Sequence, residues 1–213
     1  MNFPVLLIEV ICLLASITLF FQASIPRYLK SFPFFMLITL VVEIIGSLLG
    51  KHTVAINLLY CFFTAFEFVY YLLLIKYIIY NQKIKKTISW ILAVYPVLVV
   101  IDVFFIQPRK FHSITYSLGC LLVVVACIYY FLEIFQSKYS VNLVKEPAFW
   151  ICTALLFYYC CTFPLFGVWN LLKGLPGIIL ENVNTILTIL NYLLYSLFSI
   201  AFLCRIRVRR SLQ

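Results

Sequence analysis

Residues 55–86 read AINLLYCFFTAFEFVYYLLLIKYIIY followed by NQKIKK. The first part, 55–80, carries one acid, Glu67, and one base, Lys76, while the six residues after it carry three lysines. About 20 apolar residues cross a hydrocarbon core of ~30 Å. The stretch therefore reads as a membrane-crossing helix ending in a polar break, with Lys76 long enough to snorkel to the surface.

The same alternation runs through the whole chain. Apolar runs fall at about 4–25, 33–50, 55–80, 87–106, 114–137, 147–172 and 179–204, separated by short breaks that hold the bases, prolines and asparagines. Hydrophobic residues make up 65 % of the 213, charged residues 11 %, and the mean hydropathy is +1.11. That balance lacks the polar surface of a soluble domain, so the lipid must act as solvent. The expected fold is all-α: a polytopic integral membrane protein with seven transmembrane helices. Residues 1–204 form a single bundle and 205–213 a basic cytoplasmic tail. Residues 1–23 lack a basic leading segment and read as a retained first helix rather than a signal peptide.

Orientation follows from the bases. If odd-numbered helices run from outside to inside, Arg27, Lys30, Lys76, Lys83, Lys85, Lys86, Lys138, Lys145, Arg205, Arg207, Arg209 and Arg210 share one side. Only Lys51, Arg109, Lys110 and Lys173 lie opposite. The positive-inside rule then sets the N-terminus outside and the C-terminus in the cytoplasm. Arg205, Arg207, Arg209 and Arg210 would rest on the anionic inner leaflet of the lipid bilayer, at ~1 kcal/mol per cation. The net charge of +9 needs no nucleic acid to explain it. A cytoplasmic protein partner is a further expectation, at residues 81–86, 137–146 or the tail. Trp90, Trp150 and Trp169 suit interfacial anchoring, and the eight cysteines read as small buried hydrophobes.

Acids inside a membrane are expensive, ~2.5–3.5 kcal/mol on insertion scales. Glu9, Glu43, Glu67 and Asp102 occur one in each of the first four expected helices. At ~1.5 Å per residue, Glu67 lies near the midplane, Asn191 at similar depth, and Glu43, Asp102 and Asn57 nearer the outside. These five residues are the expected ligand- or proton-binding site. Its blander alternative is a set of interhelical hydrogen bonds, each worth ~0.6–2 kcal/mol.

Several chemistries find no residues. His52 and His112 both fall in expected outer loops, leaving no intramembrane pair for a haem. No zinc-protease, serine-hydrolase or phosphate-loop pattern occurs, and the seventh helix has no lysine for a retinal linkage. No catalytic residue, metal or cofactor is expected.

A faint internal likeness joins the two ends of the chain. Pro33-Phe34-Phe35 with Thr39 matches Pro147-Ala148-Phe149 with Thr153, and Cys12-Leu13-Leu14 matches Cys120-Leu121-Leu122. Glu67-Phe68 with Tyr71 matches Asn191-Tyr192 with Tyr195. Helices 1/5, 2/6 and 3/7 would pair, with the fourth as linker, as in 3+1+3 transporters, though the Pro-Gln motifs of the sugar-transporting kind are missing. Gly46-Ser47-Leu48-Leu49-Gly50 is a small-xxx-small pattern expected to serve packing within the bundle.

Val42-Glu43-Ile44-Ile45-Gly46, Asn57-Leu58-Leu59-Tyr60 with Glu67-Phe68, Tyr116-Ser117-Leu118-Gly119, and Lys145-Glu146-Pro147 with Phe149-Trp150 carry a resemblance. Through them the chain resembles small, uncharacterised seven-helix inner-membrane proteins of Bacteroidetes-type bacteria. The resemblance implies a multi-pass location in a bacterial inner membrane and no particular activity. From sequence the leading functional reading is a sensor or receptor-like bundle binding a small or lipophilic ligand in its outer half. The alternative is a small proton- or cation-coupled 3+1+3 transporter using a midplane carboxyl.

Overall fold

The computed structural model describes residues 3–21, 25–49, 54–107, 112–136, 142–167 and 177–210. Among them there is no strand, and nearly all lie in helices. Helix α1 spans Phe3–Ile17 and tightens into a 3-10 turn over Thr18–Phe21. A short turn at Arg27–Lys30 leads into α2, Phe32–Leu49; α3 is Val54–Ile78 and α4 is Gln82–Ile101. Helix α4 opens into a π turn at Asp102–Ile106, and α5 spans Ser113–Gln136, α6 Pro147–Gly167 and α7 Gly177–Arg210. Among the described residues six helices are long and apolar enough to cross a membrane; the first, over Val5–Phe21, is a shorter apolar one.

Local chemistry sets the ends. Asn81 caps α4: its side chain accepts a hydrogen bond from Lys83 N at 2.9 Å, as asparagine does at a helix start. The lysines of 83–86, expected in a break, therefore form the first turn of α4. Helix α7 runs past its expected end at 204, through residues 205–210 of the expected tail, to Arg210. Arginine and valine without glycine or proline give the backbone no reason to stop. Lys51, His52, Arg109, Lys110, Lys138, Trp169 and Lys173, the expected end of the sixth helix beyond Gly167, and Gly50 lie outside the described residues. So do the side chains of Arg27, Glu181, Arg205, Arg207, Arg209 and Arg210.

Neighbouring helices in space run α1, α2, α3, α5, α6, α7 and back to α1, with α4 against the outside of α3 and α5. The ring order maps onto itself when 1, 2 and 3 are exchanged for 5, 6 and 7, as the pairing expected from sequence requires. The two halves are unequally packed: α5–α6 and α6–α7 make the most extensive contacts and α2–α3 the least in the ring. Phe32, Phe68, Tyr71, Tyr95, Tyr159, Phe198 and Phe202 fill the core. Each helix turns large apolar side chains outward, among them Leu14, Leu48, Phe62, Val97, Val125, Phe157 and Ile189. An apolar exterior around a bundle with internally satisfied backbone fits a lipid environment.

Two glycines set close approaches. A Cβ at Gly119 would lie 2.6 Å from the Phe68 ring and 2.7 Å from the Tyr95 hydroxyl, so α3, α4 and α5 meet there through the missing side chain. A Cβ at Gly46 would overlap the Tyr60 hydroxyl and lie 2.9 Å from its Cζ. The small-residue pattern of α2 thus receives an aromatic ring from α3, within the bundle as expected. Cys12, Cys61, Cys120, Cys127 and Cys152 are buried and free, while Cys160 and Cys161 are exposed.

Candidate functional site

Three carboxyls converge on the bundle interior, one from each of the first three helices. Glu9 of α1 is in electrostatic reach of Glu43 of α2 and Glu67 of α3, and Glu67 is in reach of Glu43. Each carboxyl faces tyrosine hydroxyls. Tyr195 of α7 lies beside Glu9, Tyr60 beside Glu43, and Tyr71 and Tyr159 beside Glu67. Tyr158 of α6 is in electrostatic reach of all three. The first half of the chain supplies the acids, and α6 and α7 bring hydroxyls from the other side of the ring.

The placement follows from helix periodicity. Glu67 and Tyr71 are four residues apart and share a face of α3, as Glu43 and Gly46 share one of α2 at a spacing of three. Gly46 leaves room for Tyr60, whose hydroxyl then reaches Glu43. Among the described residues no lysine, arginine or histidine stands among the interacting partners of these carboxyls.

The cluster has spare bonding capacity. Glu9 is 3 % exposed and Tyr159 1 %, yet Glu9 Oε2 and Tyr159 Oη complete no hydrogen bond. The Tyr159 hydroxyl thus stands next to Glu67 without reaching bonding geometry. Glu43, Glu67 and Tyr158 face inward but keep accessible surface. A buried carboxyl oxygen without a donor carries a penalty of roughly 1–3 kcal/mol or more. Among the described residues no group of three carboxylate, imidazole or thiol side chains is placed to hold a metal ion.

Asp102, expected in the same site, belongs to another cluster. The π turn of α4 places its carboxyl at the start of α5, where Thr115 N and Thr115 Oγ1 donate to Oδ2 at 3.1 and 2.7 Å. Widened turns of this kind re-aim a side chain relative to its helix. Gln107 Oε1 accepts from Ser113 N at 3.0 Å, and His112 Nε2 lies 3.0 Å from Thr64 Oγ1 of α3. Burial pushes the His112 imidazole down to about 4, against the opposing pull of the Asp102 charge. Tyr95, whose hydroxyl donates to Thr115 O at 3.1 Å, stands between this cluster and Glu67.

Asn57 is exposed and Asn191 half-buried; neither joins the carboxyls. On α7 the inward position one turn on is held by Tyr195, 7 % exposed. Glu43 and Glu67 are brought together as expected; the hydroxyls of Tyr60, Tyr158, Tyr159 and Tyr195 and the carboxyl of Glu9 join them, although Glu9 and the tyrosines lie outside the five expected site residues. The signal for Glu9 is present in the sequence as an acid inside an apolar helix, one of three in consecutive helices.

Glu133 has a third environment. Its two oxygens accept from Tyr80 N and Asn81 N, each at 2.8 Å, across the corner where α3 ends and α4 begins. Asn81 Nδ2 donates to Tyr129 Oη at 2.9 Å.

No protein-family model, curated protein or solved structure matches this chain. The chemistry of the site therefore rests on its own residues. Carboxyls and phenols without a basic partner can take up protons or cations and offer nothing to an anion.

Proposed function

We propose that this is a seven-helix protein of a bacterial inner membrane, N-terminus outside and C-terminus in the cytoplasm, that binds a small cation among Glu9, Glu43 and Glu67 and passes it across the membrane. One observation carries the reading: three inward-facing carboxyls from α1, α2 and α3 share an interior with tyrosine hydroxyls and, among the described residues, no basic side chain. A site of carboxyl and phenol oxygens inside a ring of helices is what cation- or proton-coupled passage requires. The ring order, compatible with an exchange of the first three and last three helices, supports the transporter reading over the sensor reading.

A second reading retains the site but replaces passage by signalling. Helix α7 is continuous from Gly177 to Arg210, so the element that presents Tyr195 to Glu9 also carries the basic residues at its end. Binding at the interior would then alter a cytoplasmic partner or the anionic leaflet through that helix.

Purified protein in proteoliposomes separates the two. Passage predicts proton or cation flux that is abolished by Glu67→Gln. A wild-type protein that binds cations saturably but conducts none overturns passage and leaves signalling. Absence of both binding and flux overturns the cation site itself.

A further inference from the structure

Resting on the interior cation site just described, we infer that its ligand is a linear aliphatic diamine, with one ammonium held at Glu9 and Glu43 and the other at Glu67. The carboxyls occupy two levels. Glu9 stands six residues after Phe3, Glu43 six residues before Leu49, and Glu67 thirteen residues after Val54. At ~1.5 Å per residue, Glu9 and Glu43 lie about 9 Å from the same end of the bundle and Glu67 about 20 Å, a stagger of about 10 Å.

Each level holds a buried group without a partner. At the shallower level it is Glu9 Oε2, and at the deeper it is Tyr159 Oη. Both stand in otherwise well-packed surroundings, with their residues 3 % and 1 % exposed. Beside them Glu43, Glu67 and Tyr158 are only half-buried.

A bare metal ion fits this arrangement poorly. It needs several oxygens at about 2–2.6 Å from one centre, and no three carboxylates among the described residues are placed to share one. A quaternary ammonium has no N–H to give to Glu9 Oε2 or Tyr159 Oη. A primary ammonium has three donors, and charge-assisted bonds from it to carboxylate are short, ~2.7–2.9 Å. A four-carbon chain with one such bond at each end matches the stagger, and its methylenes pass tyrosine rings that tolerate apolar contact.

The experiment is ligand binding to the purified full chain in detergent or nanodiscs, followed by thermal stabilisation and titration. The probes are 1,4-diaminobutane, n-butylamine, tetramethylammonium, sodium, potassium and calcium. The diamine should bind at least tenfold more tightly than butylamine and any inorganic ion, and Glu9→Gln or Glu67→Gln should each cut that advantage below threefold. Tyr159→Phe, which keeps the ring volume, should weaken the diamine severalfold and decides the matter if a glutamine variant fails to fold. Equal binding of butylamine or a metal ion overturns the diamine while leaving a cation site in place. Retention of the full diamine advantage in all the variants that fold also overturns it. Saturable binding of none of the six probes overturns the diamine and the cation site together.

Discussion

Glu133 and Asp102 at helix ends, and Glu9, Glu43 and Glu67 in the bundle interior, are acids of one chain in contrasting company. The first two accept hydrogen bonds from backbone N–H groups: Tyr80 and Asn81 for Glu133, Thr115 for Asp102. They satisfy donors that helix starts leave open. The interior three face tyrosine hydroxyls and one another rather than backbone N–H groups; Glu9 Oε2 has no donor among the described residues, and neither does the second oxygen of Asp102, Oδ1. Membrane acids that hold a fold together find backbone partners. The interior three make no such backbone contact among the described residues, so replacing one of them is expected to cost the fold less.

The contrast can be broken by stability measurements. The largest effect belongs to the buried cluster around Asp102. The His112 pKa falls from 6.5 unfolded to about 4 folded, so the unfolded chain binds the extra proton between these values and stability must drop as the pH falls through that window. At ~1.36 kcal/mol per pKa unit the loss reaches up to about 3 kcal/mol. Chemical unfolding from pH 7 to pH 4 should show it, and His112→Gln should flatten the slope. A slope unchanged in that variant would assign the acid sensitivity elsewhere.

Next comes Asp102→Ala, which strands Thr115 N and Oγ1 in a buried position and should cost about 2–3 kcal/mol by unfolding at neutral pH. Glu133→Ala removes an acceptor at a less buried corner and should cost only about 1 kcal/mol. The smallest effect is expected from Glu67→Gln, within about 0.5 kcal/mol of wild type or above it, because the amide can keep a hydrogen bond to the facing tyrosine hydroxyls while the desolvation cost of a carboxylate is removed. A Glu67→Gln variant as unstable as Asp102→Ala would dissolve the distinction and make Glu67 a structural group.

How far the sequence could be read follows from the same geometry. Apolar runs and polar breaks report position along the membrane normal, and α2, α3, α5 and the start of α6 fall within about two residues of expectation. Depth alone does not report the direction a side chain takes around its helix. Asn191 and Glu67 share a depth, yet Tyr195 one turn on holds the buried position. Asp102 also has a suitable depth, but the π turn carries it to the start of α5. Glu9 lies outside the five expected residues, yet it stands at nearly the level of Glu43 and the two are in mutual reach. The early start of α4 and the long continuation of α7 were missed because lysine and arginine mark the edge of the lipid without ending a helix.

The meeting of Gly46 with Tyr60 ties two positions into one heritable unit. With no side chain at 46, the phenol of α3 slides over α2 and delivers its hydroxyl to Glu43. Any larger residue at 46 evicts the ring and takes the hydroxyl with it, and a smaller residue at 60 leaves a hole over the glycine. Substitutions at the two places should therefore be tolerated only as exchanges made together, so that a pair of mutations restores what either alone destroys.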